Sequence, residues 1–269
     1  MTVADHPIVA GERSPLRAVA MPVEHGGWGL TLEPVLLGLI VAPSWAGVLI
    51  GMAAFLAFLA RTPAKLVVVD LRRHRWLPRS RLALIVASFE GALIVVAVAV
   101  ATWSAGWQWW LAVLVAAPLV AIEWSFDVRS RGRRLLPELC GAAGIAASAV
   151  AIIVAGNGAT ALAIGCWLLL AARSIGAIPF IRSQIVQARR GVLDTRGSDL
   201  AQGLAGCMAA GAVTLDRSLL AGALGVVVLA VAQLRGVRRV PPAVKILGLR
   251  QMAFGLALVA IAATGIRLT

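Results

Sequence analysis

Apolar residues dominate long stretches of this chain, and polar residues gather in the connections between them. Nine apolar segments lie at 27–43, 46–59, 82–101, 107–124, 136–155, 158–178, 200–213, 219–234 and 246–266. Most approach the roughly 20 residues that an α-helix needs to cross a hydrocarbon core of about 30 Å. They lack the alternation of polar and apolar residues that barrel strands show. The pattern predicts an all-α polytopic bundle of about nine transmembrane helices.

Composition agrees with a membrane protein. Hydrophobic residues make up 60% of the 269 residues and charged residues 14%, whereas globular chains carry about 25% charged residues. The first 20 residues are polar and lack the apolar core of a removable signal peptide. We therefore expect a cytoplasmic N-terminal tail at 1–26 and a single transmembrane helical domain at 27–269.

Basic residues are concentrated in every second connection. The longer, basic connections are 61–81, 125–134, 179–199 and 235–245. Of the 25 lysines and arginines, all but Arg217 and Arg267 lie in the N-terminal tail, in these connections or at the segment ends beside them. The positive-inside rule then places the N-terminus in the cytoplasm, and nine spans place the C-terminus outside the plasma membrane (the inner membrane of a bacterial cell). The net charge of +13 is explained by topology and by anionic lipid rather than by nucleic acid.

The stretch "MPVEHGGWGLTLEP" places polar groups at the start of the first apolar segment. Glu33 falls about three turns into that segment, where a charge costs roughly 2.5–3.5 kcal/mol on insertion scales and normally faces a cavity or a partner. Pro34 frees the carbonyl of Leu30, and His25 is suited to carry a proton near neutral pH. Two interpretations stay open, a functional pocket and a re-entrant or capped helix start.

Further acids lie near the same predicted face. Glu123 and Asp127 are spaced i, i+4 and so share one helix face. They suit a divalent cation held by oxygen ligands, or they pair with the nearby Arg129, Arg131 and Arg134. Glu90 lies in the middle of the third segment, where it is protonated, paired inside the bundle, or beside a tight helix contact.

Arg173 and Arg182 differ from the arginines of the basic clusters because they lie nine residues apart around an apolar run. Their guanidinium groups suit phosphate oxygens, and they are also the available partners for a buried Glu33. The candidate acid–base residues are His25, Glu33 and Glu123. The candidate ligand-binding residues are Glu24, Trp28, Asp127, Arg173, Arg182, Gln184 and Arg250. No metal ligand is assigned, since Cys140, Cys166 and Cys207 have no paired spacing.

Three stretches, "MPVEHGGWGLTLEP", "RSIGAIPFIRSQI" and "VRRVPPAVKILGLRQMAFGLALV", resemble the YwiC-like family of bacterial membrane proteins. The family implies an integral membrane protein. The arrangement of nine helices is also similar, more distantly, to the UbiA superfamily of prenyltransferases, whose aspartate-rich motifs hold Mg²⁺ and a prenyl diphosphate. At the corresponding connections this chain has Asp70 alone, and then Arg182, Gln184 and Gln187 where acids would be expected. Mg²⁺ is therefore not favoured as a cofactor.

Three functions follow as expectations. The first is a UbiA-like intramembrane enzyme or binder of an anionic isoprenoid or lipid, with the head group between Arg182 and the first-segment motif. In that case Glu24 or His25, Glu33, Glu123 and Arg182 should converge on one cytoplasm-facing pocket. The second is a transporter with Glu33 and Glu90 as coupling carboxylates. The third is a non-catalytic partner of a respiratory or envelope complex. The sequence does not separate them, and it leaves the oligomeric state undetermined.

Overall fold

The computed structural model describes residues 15–21 and 25–269, and within them all regular secondary structure is helical. A short helix, α1 (Pro15–Ala20), precedes nine long ones. These are α2 (His25–Val41), α3 (Trp45–Arg72), α4 (Pro78–Ala105), α5 (Trp110–Val128), α6 (Leu135–Ala155), α7 (Thr160–Arg190), α8 (Arg196–Leu215), α9 (Leu220–Gly236) and α10 (Val244–Leu268). Each of the nine apolar segments corresponds to one long helix, so the prediction of an all-α polytopic bundle is confirmed.

Seven of these helices are long and apolar enough to cross a membrane. They are α3 to α7, α9 together with the 3₁₀ turn before it (Arg217–Gly236), and α10. The apolar helix α2 is shorter. In α8, Ser198, Asp199 and Gln202 occupy the first two turns and lower the mean hydropathy. The two helices outside this set also pack within the bundle, α2 against α6 and α10, and α8 against α7 and α9.

Three helices extend beyond their apolar segments. At 1.5 Å per residue, the 28 residues of α3 and of α4 span about 42 Å, and the 31 residues of α7 span about 46 Å. The polar parts of the basic connections therefore continue as helix, although hydropathy ends the apolar segments earlier. We call the side of the bundle that carries the connections 73–77, 129–134, 191–195 and 237–243 the basic face.

α7 lies at the centre of the bundle and contacts α2, α6, α8, α9 and α10. Small residues make this close packing possible, since without a water-driven hydrophobic effect transmembrane helices associate through tight contact of their backbones. The largest core cluster contains eleven buried alanines among its members. At Gly38 of α2, an added β-carbon would lie 2.9 Å from Ile152 of α6. α4 and α5 are peripheral, and most of their apolar surface is left for lipid.

The N-terminal helix α1 packs on the polar extensions at the basic face. Val19 lies in a small cluster with Val67 of α3 and Ala83 of α4. The joint between α3 and α4 is fixed by buried Asp70, which accepts a hydrogen bond of 2.7 Å from Ser80 Oγ. Part of the predicted tail is thus packed against the helical domain.

Candidate functional site

A salt bridge lies inside the helical bundle. Glu33 Oε1 of α2 is 3.0 Å from Arg173 Nη2 of α7, and these side chains are only 3% and 6% exposed. Glu33 is eight residues into α2, about 12 Å from the helix end at the basic face. Both charges therefore lie inside the bundle, away from water, so each needs the other.

The packing of α10 against α2 makes room for the carboxylate. A β-carbon on Gly255 would overlap the Glu33 carboxylate, and one on Gly29 would contact Met252. Further along, Arg267 Nη2 donates a hydrogen bond of 2.9 Å to the carbonyl of Ile40. These contacts advance in the same direction along both helices, so α2 and α10 run parallel, and α10 forms one wall of the ion pair.

The ion pair has unused hydrogen-bonding capacity. Arg173 Nη2 also donates to the backbone carbonyl of Gln251 in α10. Within the part of the chain that the structure describes, Arg173 Nε and Gln251 Oε1 have no hydrogen-bond partner, and Glu33 Oε1 meets Arg173 without hydrogen-bond geometry. A buried polar atom left without a partner costs about 1–3 kcal/mol. The buried guanidinium therefore keeps an N–H donor that the described residues leave unused.

A small polar cavity adjoins Arg173 on the side away from α2. It lies between α7, α8 and α9, and Arg173, Gly176, Gln202 and Gln233 contribute its polar lining. Gln202 Nε2 donates to the Gly176 carbonyl at 2.8 Å and to Gln233 Oε1 at 3.0 Å. The cavity has about 10 Å³ for the centre of a water molecule, enough for about one water.

The ends of α2 and α10 at the basic face each carry a glycine with free space beside it. No described heavy atom lies within 4 Å of a β-carbon built on Gly26 or on Gly248. Gly26 shares a helix face with Gly29, and Gly248 shares one with Met252, because residues three or four apart are neighbours on a helix. The parallel register therefore places both glycines at one end of the same seam, with Glu33 further in.

Sequence comparison assigns the chain to a family. The family model described as "YwiC-like protein" matches residues 21–155, half of the chain. The chain belongs to the YwiC-like family. No curated protein and no solved structure matches it. The distant likeness to the UbiA superfamily stays a prediction, and the family match includes Glu33 but not Arg173.

The other predicted acids of this YwiC-like protein form a second ionic cluster. Arg61 of α3 contacts Glu123 Oε1 at 2.7 Å and Asp127 Oδ2 at 3.0 Å, and Lys65 pairs with Asp127. A β-carbon on Gly141 of α6 would overlap the Glu123 carboxylate. The i, i+4 pair thus shares one face as expected, but its cations come from α3 rather than from Arg129, Arg131 or Arg134. Among the described residues, no group of three His, Cys, Asp or Glu side chains could hold a metal ion.

Arg182 lies apart from the ion pair, at the basic face. Its Nη1 is 2.9 Å from Glu138 Oε2 and 2.9 Å from the carbonyl of Arg133. Gln184 is buried and donates to the carbonyls of Gly236 (3.3 Å) and Val237 (3.2 Å) at the end of α9. These contacts join α7 to α6 and α9, which is a packing role.

The remaining candidates have separate positions. Trp28 packs edge-on against Phe58 of α3, with ring centroids 5.2 Å apart. Arg250 is exposed near the start of α10. His25 is the first residue of α2, its side chain lies outside the description, and Glu24 lies outside the described residues altogether.

The structure therefore brings Glu33 together with Arg173, and Glu123 together with Asp127, in two different clusters. The expected convergence of Glu24 or His25, Glu33, Glu123 and Arg182 on one pocket stays a prediction. In the described part of the chain, Glu33, Glu123 and Arg182 each have a different ionic partner. Four residues of these clusters are not among the sequence-based candidates: Gln202, Gln233, Arg61 and Lys65. The two glutamines could have been found from the sequence, because a buried amide in an apolar segment needs a hydrogen-bond partner.

Proposed function

We propose that this multi-pass YwiC-like membrane protein binds an anionic amphiphile, with the anionic head group at Arg173. The observation that carries the proposal is a buried arginine whose Nε has no partner within the described part of the chain. A guanidinium presents several N–H donors in a fixed plane and binds oxyanions through two hydrogen bonds. A buried anion receptor is therefore the simplest use of an arginine at this depth.

The seam between α2 and α10 supports a route to Arg173. Described atoms leave free space beside Gly26 and Gly248 at the basic face. Further in, α2 and α10 are in contact at Gly29 with Met252 and at Gly255 with Glu33, so a head group would have to part the two helices there. An amphiphile can pass its head group along this seam while its apolar tail stays between helices or in lipid. A freely dissolved anion would have to leave water without that compensation, so the amphiphile is the favoured ligand class.

Binding is better supported than UbiA-like catalysis. Acid–base chemistry by Glu33 and Glu123 on one substrate would need both carboxylates at the same bond. Their ionic partners are different, Arg173 for Glu33 and Arg61 for Glu123. The arginine also supplies the charge that Mg²⁺ would supply in an aspartate-rich site.

Transport of the same ligand is a second candidate. Pro34 follows Glu33 in α2, and Pro179 lies six residues beyond Arg173 in α7. A proline removes one backbone hydrogen bond and weakens the helix locally. Both helices of the ion pair thus have a bending point close to it. Uptake of a labelled amphiphile by proteoliposomes would separate a transporter from a binder.

We propose that the protein lies in the plasma membrane with its basic face in the cytoplasm. The basic connections support this orientation. Their positive charge would attract anionic amphiphiles of the cytoplasmic leaflet to the seam.

Binding of dodecanesulfonate in a neutral detergent tests the proposal. This probe carries one permanent negative charge and an apolar tail, and methanesulfonate tests the head group alone. The decisive variant is Glu33→Gln combined with Arg173→Gln, because it removes both buried charges together. We expect its affinity to fall by about 10- to 150-fold, the equivalent of about 1.5–3 kcal/mol for charge-assisted hydrogen bonds.

The matched control is Arg182→Ala, which removes an arginine of the same helix that pairs with Glu138 at the surface. It should bind as the unmodified protein does. Equal affinity of the unmodified protein and the double variant would refute the proposed site. If methanesulfonate binds as tightly as dodecanesulfonate and the double variant weakens both, the ligand is a small anion instead.

A further inference from the structure

We propose that anion binding at Arg173 is coupled to the uptake of one proton by Glu33. This inference rests on the proposed function and specifies how the site works. The two anions, the Glu33 carboxylate and the ligand head group, alternate as the partner of a single arginine. When the head group arrives, a proton from solvent neutralises the carboxylate that it displaces.

The limited space around Arg173 supports an exchange rather than an addition. The adjoining cavity holds about one water molecule, which is less than a sulfonate or phosphate group needs. The Glu33 carboxylate fills the space on the other side, against Gly255. A head group that contacts the guanidinium therefore has to take the place of Glu33.

Charge balance then requires the proton. With Glu33 ionised, the ion pair is neutral, and both members are more than nine-tenths buried. Adding one anion would leave a net negative charge inside the bundle, where isolated charges are strongly disfavoured. Protonating Glu33 restores neutrality, because Arg173 keeps its charge and now faces one bound anion.

The helices packed around Glu33 present no second cation within the described residues. Helix α7 contributes Arg173, and α10 contributes Gly255 and the backbone of Gln251. Helix α2 also packs against α3 and α6, and its contacts with those two helices are apolar.

Those contacts are Gly27 against Phe58 and Val35 against Gly51 for α3, and Gly38 against Ile152 for α6. Arg61 and Lys65 of α3 are ion-paired with Glu123 and Asp127 of α5. Among the described residues, no cation other than Arg173 is therefore placed to hold Glu33 ionised once Arg173 has a new partner.

The coupling can be measured directly on the unmodified protein. Dodecanesulfonate stays ionised at every working pH, so any pH dependence belongs to the protein. Once Glu33 is ionised in the free site, the dissociation constant should rise about tenfold for each pH unit. Calorimetry in two buffers of different ionisation enthalpy should report the uptake of close to one proton for each bound probe.

Glu33→Gln provides the matching variant. It keeps the shape of the side chain, removes the titrating group, and should give binding that does not depend on pH and releases or takes up no proton. If this variant does not fold, proton uptake by the unmodified protein still decides the question, with Arg182→Ala as the control that retains the coupling.

The outcomes separate the two proposals. Binding that is lost in the double glutamine variant but takes up no proton would overturn the coupling and leave the anion site standing. Binding that is unaffected by the double variant would overturn the anion site itself.

Discussion

The carboxylate of Glu33 occupies the position where the side chain of residue 255 would begin if that residue were not glycine. This close approach ties α2 to α10 at the level of the buried ion pair. It also means that the size of residue 255 controls whether Glu33 can reach Arg173.

Gly255→Ala should therefore destabilise the protein. The added methyl group has to displace the carboxylate, and overpacking of this kind typically costs about 1–3 kcal/mol. Thermal unfolding in detergent measures the effect. Gly203→Ala is the matched control, since position 203 is exposed on α8 and no described atom lies within 4 Å of the new β-carbon. Equal stability of the two variants would contradict the close packing.

Breaking the ion pair from one side should cost more than removing it. Arg173→Met leaves Glu33 without its cation in hydrocarbon, for which we expect a loss of about 3–5 kcal/mol in the free energy of unfolding. Adding Glu33→Gln should recover most of that loss, because no buried charge remains. A double-mutant cycle measures the coupling, and strictly additive effects would show that the residues do not interact.

The Arg61–Glu123–Asp127 cluster should behave differently because it is partly exposed, with side-chain exposures of 27% for Arg61 and 20% for Glu123. Glu123→Gln should cost about 1 kcal/mol or less, and the cost should shrink as salt is added. Unfolding at low and high ionic strength, with Arg173→Met as the comparison, tests this. A large effect that salt does not change would assign the cluster a buried role.

How far the sequence predicts the fold depends on which signal each element carries. All nine long helices have an apolar segment, because a bilayer demands a continuous one. The helical parts of α3, α4 and α7 outside the membrane carry no such signal, so hydropathy ended them too early. Helix α1 was not predicted for the same reason, because it lies outside the apolar segments.

The site was partly predictable. A glutamate and an arginine deep in apolar segments each demand a partner, and this makes Arg173 one of two sequence-based candidates for Glu33. Which of them is chosen depends on helix rotation, which one sequence does not report. Likewise, Asp127 pairs with Lys65 of α3 across 62 positions of sequence rather than with the arginines that follow it.

Removing metal should leave ligand binding unchanged. Dodecyl phosphate is a suitable probe, because its head group would attract Mg²⁺ if the acids of α5 held it. We expect equal affinity in EDTA and in Mg²⁺, since a guanidinium binds the head group directly. A loss of affinity in EDTA that Asp127→Asn reproduces would place a metal at the α5 acids instead.

We propose the orientation of the bundle from its basic face. Nine crossings with that face in the cytoplasm would place the C-terminus outside. An alkaline phosphatase fused after Thr269 should therefore be active, and one fused in the 237–243 connection should be inactive. The reverse pattern would invert the orientation, and activity at neither site would contradict the number of crossings.

The anion site at Arg173 is tested most directly by mass spectrometry of the lipids that co-purify with the protein. The unmodified protein and the Arg182→Ala variant should each retain one anionic amphiphile per chain. The variant that combines Glu33→Gln with Arg173→Gln, purified in the same way and folded to the same extent, should lose it. An identical set of co-purifying lipids in all three proteins would contradict the account.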